Sequence, residues 1–173
     1  MIGILLTLTF AGGDLPVAAA QSPGKSLDAA PFARVCTWDP QRDVGVRATR
    51  LQEIAAADLC LETDLERDRN GEFRVEPAAN GEACIGLQWL EARPLRRLRI
   101  EFRTAPPAAG RIQFWQGETV WQGRWNVIEG DLEAVDRVWT FVPAQPGGLF
   151  WKARWIIPAG GQPVAVTSLN AWT

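Results

Sequence analysis

The stretch RIQFWQGETVWQGRW, Arg111 to Trp125, places three tryptophans within fifteen residues. Gly117-Glu118 reads as a two-residue hairpin turn between alternating arms. That register pairs Gln116 with Thr119, Trp115 with Val120, Phe114 with Trp121 and Ile112 with Gly123. Paired residues share a face of a β-ribbon. One face then carries Ile112, Phe114, Trp121, Gly123 and Trp125, a set suited to a core. The other carries Arg111, Gln113, Trp115, Val120, Gln122 and Arg124. A flat indole ringed by amides and guanidinium groups has the chemistry of a sugar platform. The apolar face of a pyranose stacks on the ring while its hydroxyls exchange hydrogen bonds with the neighbours. Trp115, Gln113, Gln122, Arg111 and Arg124 are therefore the candidate ligand-binding residues. A competing reading covers Trp115 with the N-terminal segment or a loop, and a one-residue slip in register exchanges the two faces.

Few other chemistries are open to the chain. It has nine Trp but no His and no Tyr, which removes the Ser-His-Asp triad, the Cys-His pair and every His-ligated zinc site. Paired carboxylates are the surviving route to catalysis. Glu118, Glu129, Asp131, Glu133 and Asp136 fall in loop-like sequence, but no spacing selects a pair. No nucleotide-binding or hydrolase motif is present, so no catalytic residue is assigned. Asp64, Asp68, Asn70 and Glu72 set oxygen ligands around a Gly turn, which would suit a structural calcium ion. The four-residue step from Asp64 to Asp68 departs from calcium-loop spacing, and a solvated charged turn is the competing reading. No metal or cofactor is assigned. Cys36, Cys60 and Cys84 are spaced by 24 residues with no CxxC pair, which leaves one bridge plus a buried thiol or three buried thiols. A net charge of −2 provides no field for nucleic acid. Arg96, Arg97 and Arg99 read as a solvated strand face.

The elements that position these residues are mostly short strands. The N-terminus opens with a ten-residue apolar run, Ile2 to Ala11, with no Lys or Arg before it. It is too short to span a bilayer, but it fits a signal-peptide core, with Ala18-Ala19-Ala20 as a cleavage site before Gln21. Residues 1–20 are thus expected to be a signal peptide, 21–31 a linker and 32–173 a single domain, secreted or periplasmic, with no stable membrane insertion. A short helical turn is expected around Arg50 to Ala57, followed by a strand from Asp58 to Thr63. Beyond it, alternating segments separated by Pro and Gly predict about eight short strands in an antiparallel, jelly-roll-like β-sandwich. Parity turns Trp89 inward with Ile85 and Leu87, Leu98 with Ile100 and Phe102, and Trp139 with Phe141. It also turns Trp151 and Trp155 inward and leaves Lys152 and Arg154 exposed. Trp38 and Trp172 are candidates to cap an open end of the sandwich.

Three segments, CIGLQWLEARPLRRLRIEF, RIQFWQGETVWQGRW and GGLFWKARWII, follow one another from Cys84 onward. Their order resembles the galactose-binding-like superfamily, the jelly-roll sandwich of discoidin (factor V/VIII type C) modules. The resemblance implies a sandwich that commonly binds glycans, lipids or proteins through loops at one end, and it implies no enzyme. The expected function is therefore an exported, non-catalytic module that binds carbohydrate or a cell surface, with a glycan or an extracellular protein as partner. Two alternatives stand beside it. One is a structural or protein-interaction domain of a larger assembly, and the other is a fragment of a glycan-active enzyme.

Overall fold

The computed structural model describes residues 26–45 and 61–173. The expected signal peptide, the first half of the expected linker, the expected helical turn and Cys60 lie outside the described residues.

Eleven strands form among the described residues: β1 (Arg34–Thr37), β2 (Thr63–Asp64), β3 (Phe73–Val75), β4 (Glu82–Leu95), β5 (Arg97–Phe102), β6 (Arg111–Gly117), β7 (Gly123–Asn126), β8 (Gly130–Val135), β9 (Val138–Pro143), β10 (Gly148–Pro158) and β11 (Val164–Trp172). They make two antiparallel sheets, ordered β2-β1-β4-β10-β6-β7 and β3-β11-β5-β9-β8. A single 3₁₀ turn, Ala30–Phe32, is the helical element among the described residues. None of their helices is long and apolar enough to cross a membrane. The chain is an all-β sandwich, with more strands than the eight expected. The strand that alternation missed is β8, GDLEAV, a sheet edge on which only Leu132 packs against the core. Its turn to β9 is a true two-residue reversal: Val135 pairs Val138 across Asp136-Arg137. Asp136 there takes the left-handed conformation (φ 49°) that Asp tolerates better than most residues.

The core between the sheets comes from the inward parity of long strands. Ile85, Leu87 and Trp89 of β4, Leu98, Ile100 and Phe102 of β5, and Trp139 and Phe141 of β9 are all buried. Ala153, Trp155 and Ile157 of β10 join them. Rings meet edge-on or tilted, Phe102 with Trp139 at 4.7 Å and Phe114 with Phe150 at 4.6 Å. Each such side chain contributes about 1.5–3 kcal/mol on burial. A β-bulge between Phe150 and Lys152 breaks the expected parity of β10. It turns Phe150 inward and leaves Trp151 half-buried on the other face.

Residues 26–31, expected as the end of a free linker, are docked. Asp28 bridges Trp172, Ala29 N–H donates to the Ala171 carbonyl (2.6 Å), and Trp89 Nε1 donates to the Ala29 carbonyl (2.9 Å). The Asp28 carboxylate accepts hydrogen bonds from Ala30 N–H, Ala171 N–H and the Asn170 amide. Burial alone would raise its pKa, but these bonds outweigh burial and hold the group below its ordinary 3.8. A depressed carboxylate stabilises the fold above its unfolded pKa and loses that contribution as pH falls through the folded one. Asp28→Ala is therefore expected to lower unfolding free energy by about 1–2 kcal/mol near neutral pH. Denaturant titrations should show this gap to wild type closing as pH falls from about 6 to about 2. A gap of constant size across that range would contradict the latch.

Candidate functional site

The hairpin of β6 and β7 is not the one its sequence suggested. Trp115 pairs Trp125, Gln116 pairs Arg124 and Gly117 pairs Gly123, so residues 118–122 form a five-residue loop. Gly117-Glu118 is the end of β6 and the start of this loop, not the turn. Thr119 sets the reversal: its hydroxyl accepts from the N–H groups of Trp121 (3.2 Å) and Gln122 (3.0 Å), while Trp115 Nε1 donates to its carbonyl (2.9 Å). Trp115 thus faces Trp125 where Val120 was expected, a shift of five residues. An odd shift reverses which side each β7 residue occupies.

Consequently the roles of the indoles exchange. Trp115, expected outward, is 1% exposed, and Trp121, expected inward, is 63% exposed. Trp125 remains buried, but on the outer side of its sheet beside Trp115, with ring centroids 5.3 Å apart. The sugar platform expected at Trp115 is therefore not available. Gln113 is buried and accepts from Arg154 Nε at 2.8 Å. Arg111 pairs with Glu82, whose hydrogen bonds raise the guanidinium pKa further. Gln122 and Arg124 stay near the loop, half-buried and exposed respectively.

What covers Trp115 is residues 38–45, a strap that crosses the outer face of the six-stranded sheet. Its anchor is Arg154, expected to be exposed and in fact wholly buried. The guanidinium donates to the Asp39 carbonyl (3.1 Å), the Arg42 carbonyl (3.0 Å) and the Asp43 carboxylate (3.2 Å), and its Cζ lies 4.4 Å from the Trp125 ring centre. Lys152, also expected to be exposed, is buried 4.6 Å from the Trp115 ring centre and 3.6 Å from Glu62. A cation can leave water when acceptors and aromatic faces replace its hydration, and both conditions are met here. Burial would raise the Glu62 pKa, but the Gln88 amide and the Lys152 charge prevail and hold it below its ordinary value. The far end of the strap pairs with β7: Trp125 N–H donates to the Asp43 carbonyl (2.7 Å) and Gly45 N–H to the Gly123 carbonyl (2.9 Å). Cys36, Trp38, Cys84, Trp115, Trp125 and Ile156 form a second core beneath. Trp38 belongs to this core, whereas Trp172 lies half-buried under the Arg97 guanidinium, 3.9 Å from its ring centre.

The second core also holds the described thiols. Cys36 and Cys84 are both buried there. Burial, reinforced by the Asp64 carboxylate that accepts its S–H, pushes the Cys36 thiol up to about 12. The oxygen groups suggested for calcium are engaged within the chain. Asp64 engages Arg34, Asp68 accepts from the N–H groups of Asn70 and Glu72, and Glu72 pairs with Arg103. Among the described residues no three acidic or thiol groups gather to hold a metal ion.

A pocket of about 550 Å³ opens beside the end of β6, the strand that leads into the loop 118–122. Its walls are the two segments that cross between the sheets, 127–129 and 143–148, tied by the Ala144 N–H to the Glu129 carbonyl (3.0 Å). Phe150 and Gln116 complete it, and Gln116 is the penultimate residue of β6, from which the Trp121 loop rises. Two amide residues (Gln116 and Gln145) and Glu129 share the lining with the apolar Val127, Ile128, Pro143, Pro146 and Phe150.

The two indoles should respond oppositely to truncation. Trp115→Ala is expected to cost about 3–5 kcal/mol in a urea titration, and Trp121→Ala less than about 1 kcal/mol. Equal losses would contradict their assignment to interior and surface.

No family model and no curated protein matches the chain. Among solved structures, it is similar to the CpGH89CBM32-6 module produced by Clostridium perfringens, with 16% identity over 61% of this chain and 79% of that one, at a TM-score of 0.41. The CBM32-1 and CBM32-2 domains of Clostridium perfringens ZmpB match at 10% identity over 63% of this chain, which spans 29% of theirs, with a TM-score of 0.45. A structure from the Streptococcus pneumoniae β-galactosidase BgaA matches at 13% identity, covering 88% of this chain and 96% of that one, with a TM-score of 0.49.

Proposed function

We propose that the chain is an exported, non-catalytic module that binds glycans at the open end of its sandwich, with Trp121 as the stacking ring. The observation that carries this reading is the 63% exposure of Trp121 on a loop whose backbone is already fixed. An indole left in water forgoes a large burial gain, and a ring held in place binds without a further ordering cost. Gln122 and Arg124, named from the sequence as polar partners of a ring, follow Trp121 closely in the chain. Gln116 and Gln145 line the pocket beside the end of β6 and carry the donor and acceptor pairs that sugar hydroxyls require. Export rests on the apolar run from Ile2 to Ala11 and on its small-residue cleavage site.

Affinity electrophoresis against a panel of neutral and acidic polysaccharides tests the assignment. Wild type is expected to be retarded by at least one polysaccharide, and Trp121→Ala to weaken that binding about tenfold or more, as loss of an aromatic stacking partner does. Retention of full retardation by Trp121→Ala, or no retardation of wild type by any polysaccharide, would leave a protein surface as the better partner.

A further inference from the structure

We propose that Arg154 is a positioning residue for Trp121, acting through the strap, and this rests on the glycan-site reading above. The contacts run without a gap from one to the other. Arg154 fixes the strap at the Asp39 carbonyl, the Arg42 carbonyl and the Asp43 carboxylate. Past Asp43, the strap adds itself to the outer edge of β7: Val44 bridges Arg124, and Gly45 and Trp125 exchange main-chain hydrogen bonds with Gly123 and Asp43. A four-residue edge strand thereby gains a neighbour on its open side.

Gly45 then closes on the loop itself. A Cβ at this position would lie 2.2 Å from Cη2 of Trp115 and 2.6 Å from the Trp121 carbonyl oxygen, so only Gly fits. Trp115, packed against Gly45 and Lys152, holds the Thr119 carbonyl through its indole N–H. The main chain of the loop is thus held at Thr119 by the indole and packed at Trp121 by the strap. Arginine is required at the anchor because a planar fork reaches several acceptors at once, whereas an ammonium on a similar stem does not reproduce that geometry. The ring that faces solvent is therefore ordered by a guanidinium that never meets it.

Backbone ¹⁵N relaxation on wild type, Arg154→Lys and Gly45→Ala tests this, with the glycan affinities of the same proteins measured alongside. In wild type the Trp121 amide is expected to show a rigid order parameter, about 0.85, falling below about 0.6 in both variants. Amides of Ile85, Ile100 and Trp155 should keep rigid values, and the glycan dissociation constant should rise about tenfold. Gly45→Ala removes no bond to Arg154, so it carries the test if Arg154→Lys does not fold. An unchanged Trp121 order parameter in the folded variants would overturn the proposal, as would a loosened loop that binds glycan as tightly as before. If wild type binds no glycan, the functional reading fails, while the relaxation data alone decide whether the strap orders the loop.

Discussion

A guanidinium removed from water must find acceptors for its N–H groups, and the arrangement around Arg154 follows from that requirement. Gln113 supplies one from the neighbouring strand, and residues 39–43 supply three more from their main chain and the Asp43 side chain. Truncating one member of such a buried set leaves the others uncompensated, at a cost of about 3–5 kcal/mol. The strap is accordingly part of the fold. With it in place, the outer face of the six-stranded sheet becomes interior: Trp115, Trp125 and Lys152 lie within a second core rather than at a surface.

A sheet face covered by its own chain offers nothing to a ligand, and the glycan site we propose therefore sits at the sandwich end, where both sheet-crossing segments and the loop 118–122 meet solvent. There the strap contributes indirectly, since it borders β7 and packs on the loop that presents Trp121. Stability and presentation are therefore coupled, because the contacts that bury two indoles also order the third.

Much of the fold was legible in the sequence because alternation reports burial directly. Trp89, Trp139, Phe141 and Trp155 face the main core as their parity required. The site was only half legible. Gly-Glu is a plausible turn, but Thr119, two residues on from Gly117, set the actual reversal with its hydroxyl. That choice depends on Trp115 holding the Thr119 carbonyl, a contact that local propensity does not reveal. Lys152 and Arg154 were misjudged for a related reason: their placement opposite Trp155 was right, but a buried cation is permitted by acceptors distant in the chain. The one local clue was Gly45, whose lack of a side chain is needed where the strap closes on Trp115.

Amide hydrogen exchange at Gly45 and Trp125 tests the strap most directly, because these two N–H groups bond across it to Gly123 and Asp43. Protection comparable to that of the central strands β4 and β10 is expected, with both amides opening only as the domain unfolds. Exchange at the rate of an open loop would mean that residues 38–45 leave the sheet freely, and that the face bearing Trp115 is accessible after all.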